Sequence, residues 1–92
     1  MSGIANQVGG YKQITATGNV SPIGCKLLGI FVSSSTLGTV TIYDSATTTT
    51  TTKVVDTTIA LTGGTWVPMP IAFASGIYIV VGGTLSATVV YA

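Results

Sequence analysis

Few side chains in this 92-residue chain can do chemistry: one thiol, Cys25, and five charged groups, Lys12, Lys26, Lys53, Asp44 and Asp56. Histidine, glutamate and arginine do not occur. Nucleophilic or acid–base catalysis needs a group whose pKa is tuned by a neighbour, or whose proton a neighbour accepts. Cys25 has no imidazole to activate it and opens an apolar run, so it reads as a small buried hydrophobe. Asp44 and Asp56 flank a threonine-rich stretch, and a hairpin there would let the two carboxyls share a proton. The triplet Asp56-Thr57-Thr58 is not the Asp-Thr-Gly of aspartic proteases, however. Aspartates placed this way satisfy backbone N–H groups in turns far more often than they catalyse. The expectation is a protein that is not an enzyme.

Binding chemistry is equally sparse. Without histidine or a second thiol there is no ligand set for structural zinc, and no acidic loop of the EF-hand kind for calcium. Three scattered lysines and a net charge of +1 make no footprint for nucleic acid. Gly63-Gly64 and Gly82-Gly83 lack the strand–loop–helix setting and the lysine of a phosphate loop. No metal, cofactor or nucleic-acid partner is expected. The first residues lack the basic start and apolar run of a secretory signal. The longest apolar stretch, residues 71–81, is interrupted by Ser75-Gly76 and is far shorter than the roughly 20 residues of a membrane helix. A soluble chain made in the cytosol, with no membrane partner, is the corresponding expectation.

The elements that must position these groups are strands. Val, Ile, Thr and Tyr recur, and twelve glycines punctuate the chain, the pattern of many short strands joined by tight turns. Residues 1–10 read as an extended N-terminal arm and residues 11–92 as one domain. Residues 12–17 form a short first strand and Gly18-Asn19-Val20-Ser21-Pro22 a connection. Residues 25–32 are a strand apolar on both faces and hence central or covered on both sides. Ser33-Ser34-Ser35-Thr36 reads as a loop. Over residues 38–44, Val40 and Ile42 point inward and Thr39, Thr41 and Tyr43 outward. The six threonines at 47–52 form a long loop or ribbon end. In the next strand, 54–61, Val55, Thr57, Ile59 and Leu61 share a face. Pro68 and Pro70 cannot donate ladder hydrogen bonds, so their strand belongs at a sheet edge. Gly82-Gly83 signals a two-residue hairpin into a last strand, with Leu85, Ala87, Val89 and Tyr91 on one side. Seven to eight short strands imply an all-β, single-domain antiparallel β-sandwich, jelly-roll or Ig-like.

A domain this small buries only about 60–70% of its unfolded surface, and many of this size compensate with disulfides, metals or oligomerisation. One cysteine excludes an internal disulfide, which leaves oligomerisation. The charge count agrees: 5% of residues are charged and 47% hydrophobic, against about 25% charged in ordinary soluble domains. Ile4 and Val8 in the arm, with Trp66, Met69 and Pro70, are the candidate subunit interface, because Trp and Met are enriched where subunits meet.

Gly29-Ile30-Phe31-Val32, Gly38-Thr39-Val40-Thr41-Ile42-Tyr43-Asp44-Ser45-Ala46, Gly76-Ile77-Tyr78-Ile79 and Gly82-Gly83-Thr84 together resemble small structural proteins of tailed bacteriophages. In those, a strand ending in Asp-Ser precedes a variable loop, and a Gly-[Ile/Leu]-Tyr strand leads to a terminal hairpin. The resemblance spans residues 24–91 and is most like capsid decoration (cement) proteins. It implies a virion component on the capsid exterior, made in the host cytoplasm. Its partners would be the major capsid protein and further copies of itself, in trimers, with the arm embracing the capsid or a neighbour. The alternative is a tail, fibre or collar component that binds receptors or glycans, with Trp66, Tyr43 and Tyr78 as stacking surface.

Overall fold

The computed structural model describes residues 10–92. Of the arm expected over residues 1–10, Ile4 and Val8 therefore lie outside the described residues, and Gly10 opens the first strand. The elements are β1 (Gly10–Ile14), β2 (Gly18–Ser21), β3 (Cys25–Asp44), β4 (Lys53–Val55), β5 (Thr65–Phe73) and β6 (Ile77–Tyr91). All pair antiparallel in one six-stranded sheet, and no helix occurs among the described residues.

Two strands carry the rest. β3, 20 residues long, and β6, 15 residues long, pair along their lengths from Leu27 opposite Tyr91 to Asp44 opposite Ile77. β1 and then β2 line the outer side of β6, while β5 and then β4 line that of β3. The sheet thus has two halves, β1–β6–β3–β5 and β2–β6–β3–β4. β5 pairs with β3 alone, the edge position that its two prolines require.

Three local expectations are corrected. Residues 33–36 are not a loop: Ser34, Ser35 and Thr36 pair with Ser86, Leu85 and Thr84 inside the β3–β6 ladder. Nor is Gly82-Gly83 a hairpin, since the residues on either side of it pair with β3 instead of with each other. The glycines instead bend one continuous strand. The register shifts between Thr36 and Thr39, where Leu37 takes φ 55° opposite Gly83 at φ 68°. A Cβ on Gly83 would collide with the Leu37 carbonyl oxygen, so close approach and positive φ both demand glycine there. What reads as two short strands and a turn is one long strand, twice over. Finally, Gly18–Ser21, expected as a connection, is the strand β2.

At the bend both flanking edges lose their regular ladder, and threonine hydroxyls take over its hydrogen bonds. Thr17 Oγ1 accepts from the Val81 N–H at 2.9 Å. Thr58 Oγ1 accepts from the Val40 N–H at 3.1 Å, while the Thr58 N–H donates to the Val40 carbonyl at 3.0 Å. Buried backbone donors left unpaired would cost about 1–3 kcal/mol each. The hydroxyls meet that need without regular strand geometry, so the strand expected at 54–61 contracts to Lys53–Val55. Ile59, expected to share a face with Val55, Thr57 and Leu61, is 87% exposed.

One hydrophobic cluster draws on both halves: Ile14, Leu27, Ile30, Val32, Phe73, Leu85, Ala87 and Val89 from the first, and Val20, Val40, Ile42, Ile77 and Ile79 from the second. A bulge between Leu27 and Gly29 lets both Leu27 and Ile30 face it, which strict alternation forbids. Each fully buried Leu, Ile or Val is worth about 1.5–3 kcal/mol. Cys25 packs half-buried against the same cluster as a free thiol. Thr41, expected outward, is buried, and its hydroxyl hydrogen-bonds that of Thr57 at 2.6 Å.

The bend makes opposite predictions for its two residues of positive φ. Gly83→Ala should lower stability by about 1–3 kcal/mol, read as a fall in thermal midpoint. Leu37→Gly, at a site 77% exposed, should raise it by about 1 kcal/mol, because the left-handed strain is relieved and little packing is lost.

Candidate functional site

Asp44 ends β3, and its carboxylate accepts from three backbone N–H groups of the β5–β6 turn: Ser75 at 2.8 Å, Ala74 at 3.1 Å and Gly76 at 3.3 Å. The Ser75 N–H above all, with those of Ala74 and Gly76, holds the carboxyl below its ordinary value of 3.8, outweighing the upward push of burial. Asp56 accepts from the Thr57 N–H at 2.8 Å and pairs with Lys53 at 3.2 Å on the exposed surface. The Thr57 N–H first, and then the Lys53 ammonium, lower its pKa too. Each carboxylate is thus satisfied by its own neighbours, and neither accepts from the other's set. Ser45 and Asn19 tie down the threonine stretch: the Ser45 hydroxyl accepts from the Thr47 and Thr49 N–H groups, and the Asn19 amide donates to the Ser45 and Thr47 carbonyls. Among the described residues no three His, Cys, Asp or Glu side chains gather to hold a metal.

The surface that stands out is the outer face of the β1–β6–β3–β5 half. Alternation along β5 turns Val67, Met69, Ile71 and Phe73 toward the core and Trp66, Pro68, Pro70 and Ala72 away from it. The ladders then set Gln13, Thr88, Phe31 and Trp66 in one row across four strands, and Tyr11, Val90, Gly29 and Pro68 in the next. Trp66 is 47% exposed, Phe31 42% and Tyr11 71%. Gly29 is what lets the indole lie down on the sheet. A Cβ there would stand 2.6 Å from Trp66 Cη2 and equally close to the Val67 carbonyl oxygen. Neither row contains a charged side chain. Beside the rows, Lys26, Leu27, Leu28, Pro70, Ile71 and Ala72 line a shallow groove of about 250 Å³.

Of the candidate interface residues, the structure brings Trp66 and Pro70 together on this face and puts Met69 on the opposite side of the same strand, against the core. Phe31 and Tyr11 also belong to the surface, although nothing in the sequence alone marks them as its members. Phe31 falls between buried Ile30 and Val32, but the bulge at residues 27–29 hides the phase of β3, and Tyr11 sits between exposed neighbours, Gly10 and Lys12. Of the three side chains named for glycan stacking, Tyr78 is buried, Tyr43 is half-buried and packs on it with ring centroids 6.1 Å apart, and Trp66 is 47% exposed.

This geometry makes two predictions. Gly29→Ala should lift the indole off the sheet, giving a red shift in tryptophan emission and a loss of about 1–3 kcal/mol of stability. Asp44 contributes stability that is present above the unfolded-state pKa and disappears as pH falls through the lower folded-state value, that is, below about pH 4. Acid titration of the thermal midpoint should show that loss. Asp44→Asn should shrink it, leaving the part that Asp56 contributes, and cost about 1 kcal/mol at neutral pH, modest because the carboxylate is partly exposed.

Compared with protein-family models, curated proteins and solved structures, the chain matches none.

Proposed function

We propose that this chain is a non-enzymatic structural protein of a tailed-phage virion, a capsid decoration subunit that stabilises the head by bridging capsid subunits from outside. The observation that carries the reading is the neutral, aromatic outer face of the β1–β6–β3–β5 half. Soluble monomers seldom leave a contiguous apolar patch uncovered, and a large one marks a site of association. Here Trp66, Phe31, Tyr11 and the two prolines hold such a patch on a rigid sheet instead of on loops. The motif resemblance over residues 24–91 supports the phage setting, and the way each carboxylate is consumed by its own turn supports a structural role over a catalytic one.

The finer architecture in this reading is a β-sandwich, its layers being the two halves into which the bent β3 and β6 divide the sheet. A single hydrophobic cluster fed from both halves supports it. So does a smallest Cα extent of 17 Å, which suits two layers about 10 Å apart with their twist. Pressure from packaged genome loads the seams between capsomers. A compact subunit with few charges to desolvate can commit much of its surface to a seam.

The test is electron cryomicroscopy of heads lacking the chain, before and after the purified protein is added. The expected result is new ordered density on the exterior, between capsid subunits, and heads that survive a higher temperature. Density confined to the tail, or no binding at all, refutes the reading.

A further inference from the structure

We propose that Tyr43 and Tyr78 form a site of oxidative modification, at which one-electron oxidation joins the two rings ortho to ortho and staples β3 to β6. This inference concerns the ladder itself and stands apart from the virion reading.

The ladder brings the pair together. Tyr43 and Tyr78 are direct partners across β3 and β6, and they alternate with Ile42 and Ile79, which face the core. Their ring centroids lie 6.1 Å apart with a 33° tilt, inside the range of aromatic contact. Of the four tyrosines, only these two are in ring contact. Asn19 on β2 pairs with Tyr78 and Lys53 on β4 pairs with Tyr43, so the row is walled on both sides. Both rings also stand at the fastened end of the ladder, where Asp44 holds the turn that leads into Ile77. Tyr78 is buried and Tyr43 half-buried, which leaves the rings little room to part. The phenol oxygens make no hydrogen bond to the described residues and are not sealed off as buried atoms, so water accepts their protons.

The chemistry balances with hydrogen peroxide as the oxidant, delivered through a haem peroxidase. Each phenol gives up one electron and one proton, leaving a tyrosyl radical with spin density on its ortho carbons. Half-buried Tyr43 meets the oxidant first, and electron exchange across the ring contact passes the radical to Tyr78, freeing Tyr43 for the second oxidation. One ortho carbon of each ring then forms the new C–C bond. The hydrogen on each of those carbons moves to its oxygen, which restores two aromatic phenols. The two electrons and two protons released reduce one peroxide to two waters. Proximity decides where the radicals couple, because reactants held in contact reach effective concentrations far above those of any protein solution. Tyr11, although 71% exposed, makes no ring contact with another tyrosine of its own chain and couples only when two chains collide.

The test treats the full chain with a haem peroxidase and hydrogen peroxide over a series of protein concentrations. Tyr43→Phe, Tyr78→Phe and Tyr11→Phe are run beside it, and circular dichroism checks that each variant folds. The expected result is dityrosine fluorescence in chains that run as monomers under denaturing conditions, with a mass lower by two hydrogen atoms. Tandem mass spectrometry should join residue 43 to residue 78, and the yield per chain should not change with protein concentration. That yield should fall about tenfold or more in folded Tyr43→Phe and Tyr78→Phe and stay unchanged in Tyr11→Phe. The stapled chain should also unfold at a higher temperature, because its denatured state keeps a closed loop. A folded wild type with no dityrosine inside single chains, or an intrachain yield that survives Tyr78→Phe, overturns the proposal.

Discussion

Everything in this molecule hangs on the β3–β6 ladder. The two strands pair from Leu27–Tyr91 to Asp44–Ile77, and every other strand pairs with one of them and with nothing else. They also supply most of the buried cluster, including Leu27, Ile30, Val32, Val40 and Ile42 on one strand and Ile77, Ile79, Leu85 and Val89 on the other. A ladder this long cannot stay straight and still enclose a core. The constraint is met at one place, where Leu37 and Gly83 both adopt positive φ and the register slips. The edge strands break at the same level, and the hydroxyls of Thr17 and Thr58 carry the hydrogen bonding across the gap. Threonines that look scattered along the chain thus satisfy backbone groups where the strand geometry fails.

How much of this was legible in the sequence follows from the physics of each signal. The all-β class was plain from composition, and the inward sets Val40–Ile42 and Leu85–Ala87–Val89 were plain from alternation, because period-2 patterning needs only local sequence. The edge position of the proline strand was also readable, since proline's missing N–H is a local fact. Long-range pairing was not. Ser33 to Thr36 and Gly82-Gly83 have the chemistry of loops and turns, and only the partner strand across the ladder keeps them extended. The bulge at residues 27–29 shifts the phase of β3 and puts Leu27 on the same face as Ile30, which strict alternation would separate. Thr41, expected outward, is buried, its hydroxyl bonded to that of Thr57. On the surface, the structure leaves Trp66 and Pro70 exposed, two of the residues named as a candidate interface; Phe31 and Tyr11 needed the register to bring them alongside.

The sparse charge gains meaning from where the charges sit. One aspartate ties the end of β3 to the turn that starts β6, and the other is held beside Lys53 by an i,i+3 contact. Neither is left to solvate the broad face around Trp66. The two rows across this face carry aromatic rings and neutral groups, with Lys12 and Lys26 at their margins. On the proposed reading the same scarcity of charge serves assembly, and the bend that organises the core also sets the half that presents the face.

Native-state amide hydrogen exchange on the full chain tests the central claim most directly, because it reads the β3–β6 ladder residue by residue. The account predicts that Ser34, Ser35 and Thr36 are protected along with Ile30, Val32, Val40 and Ile42, and that Leu85 and Ile79 are protected across the bend from each other. Residues 46–52 and the exposed amides near Ile59 should exchange far faster. Free exchange at residues 33–36, at the rate of those loops, would mean that β3 is two strands joined by a loop, and the single bent ladder on which the core and the outer face both depend would be wrong.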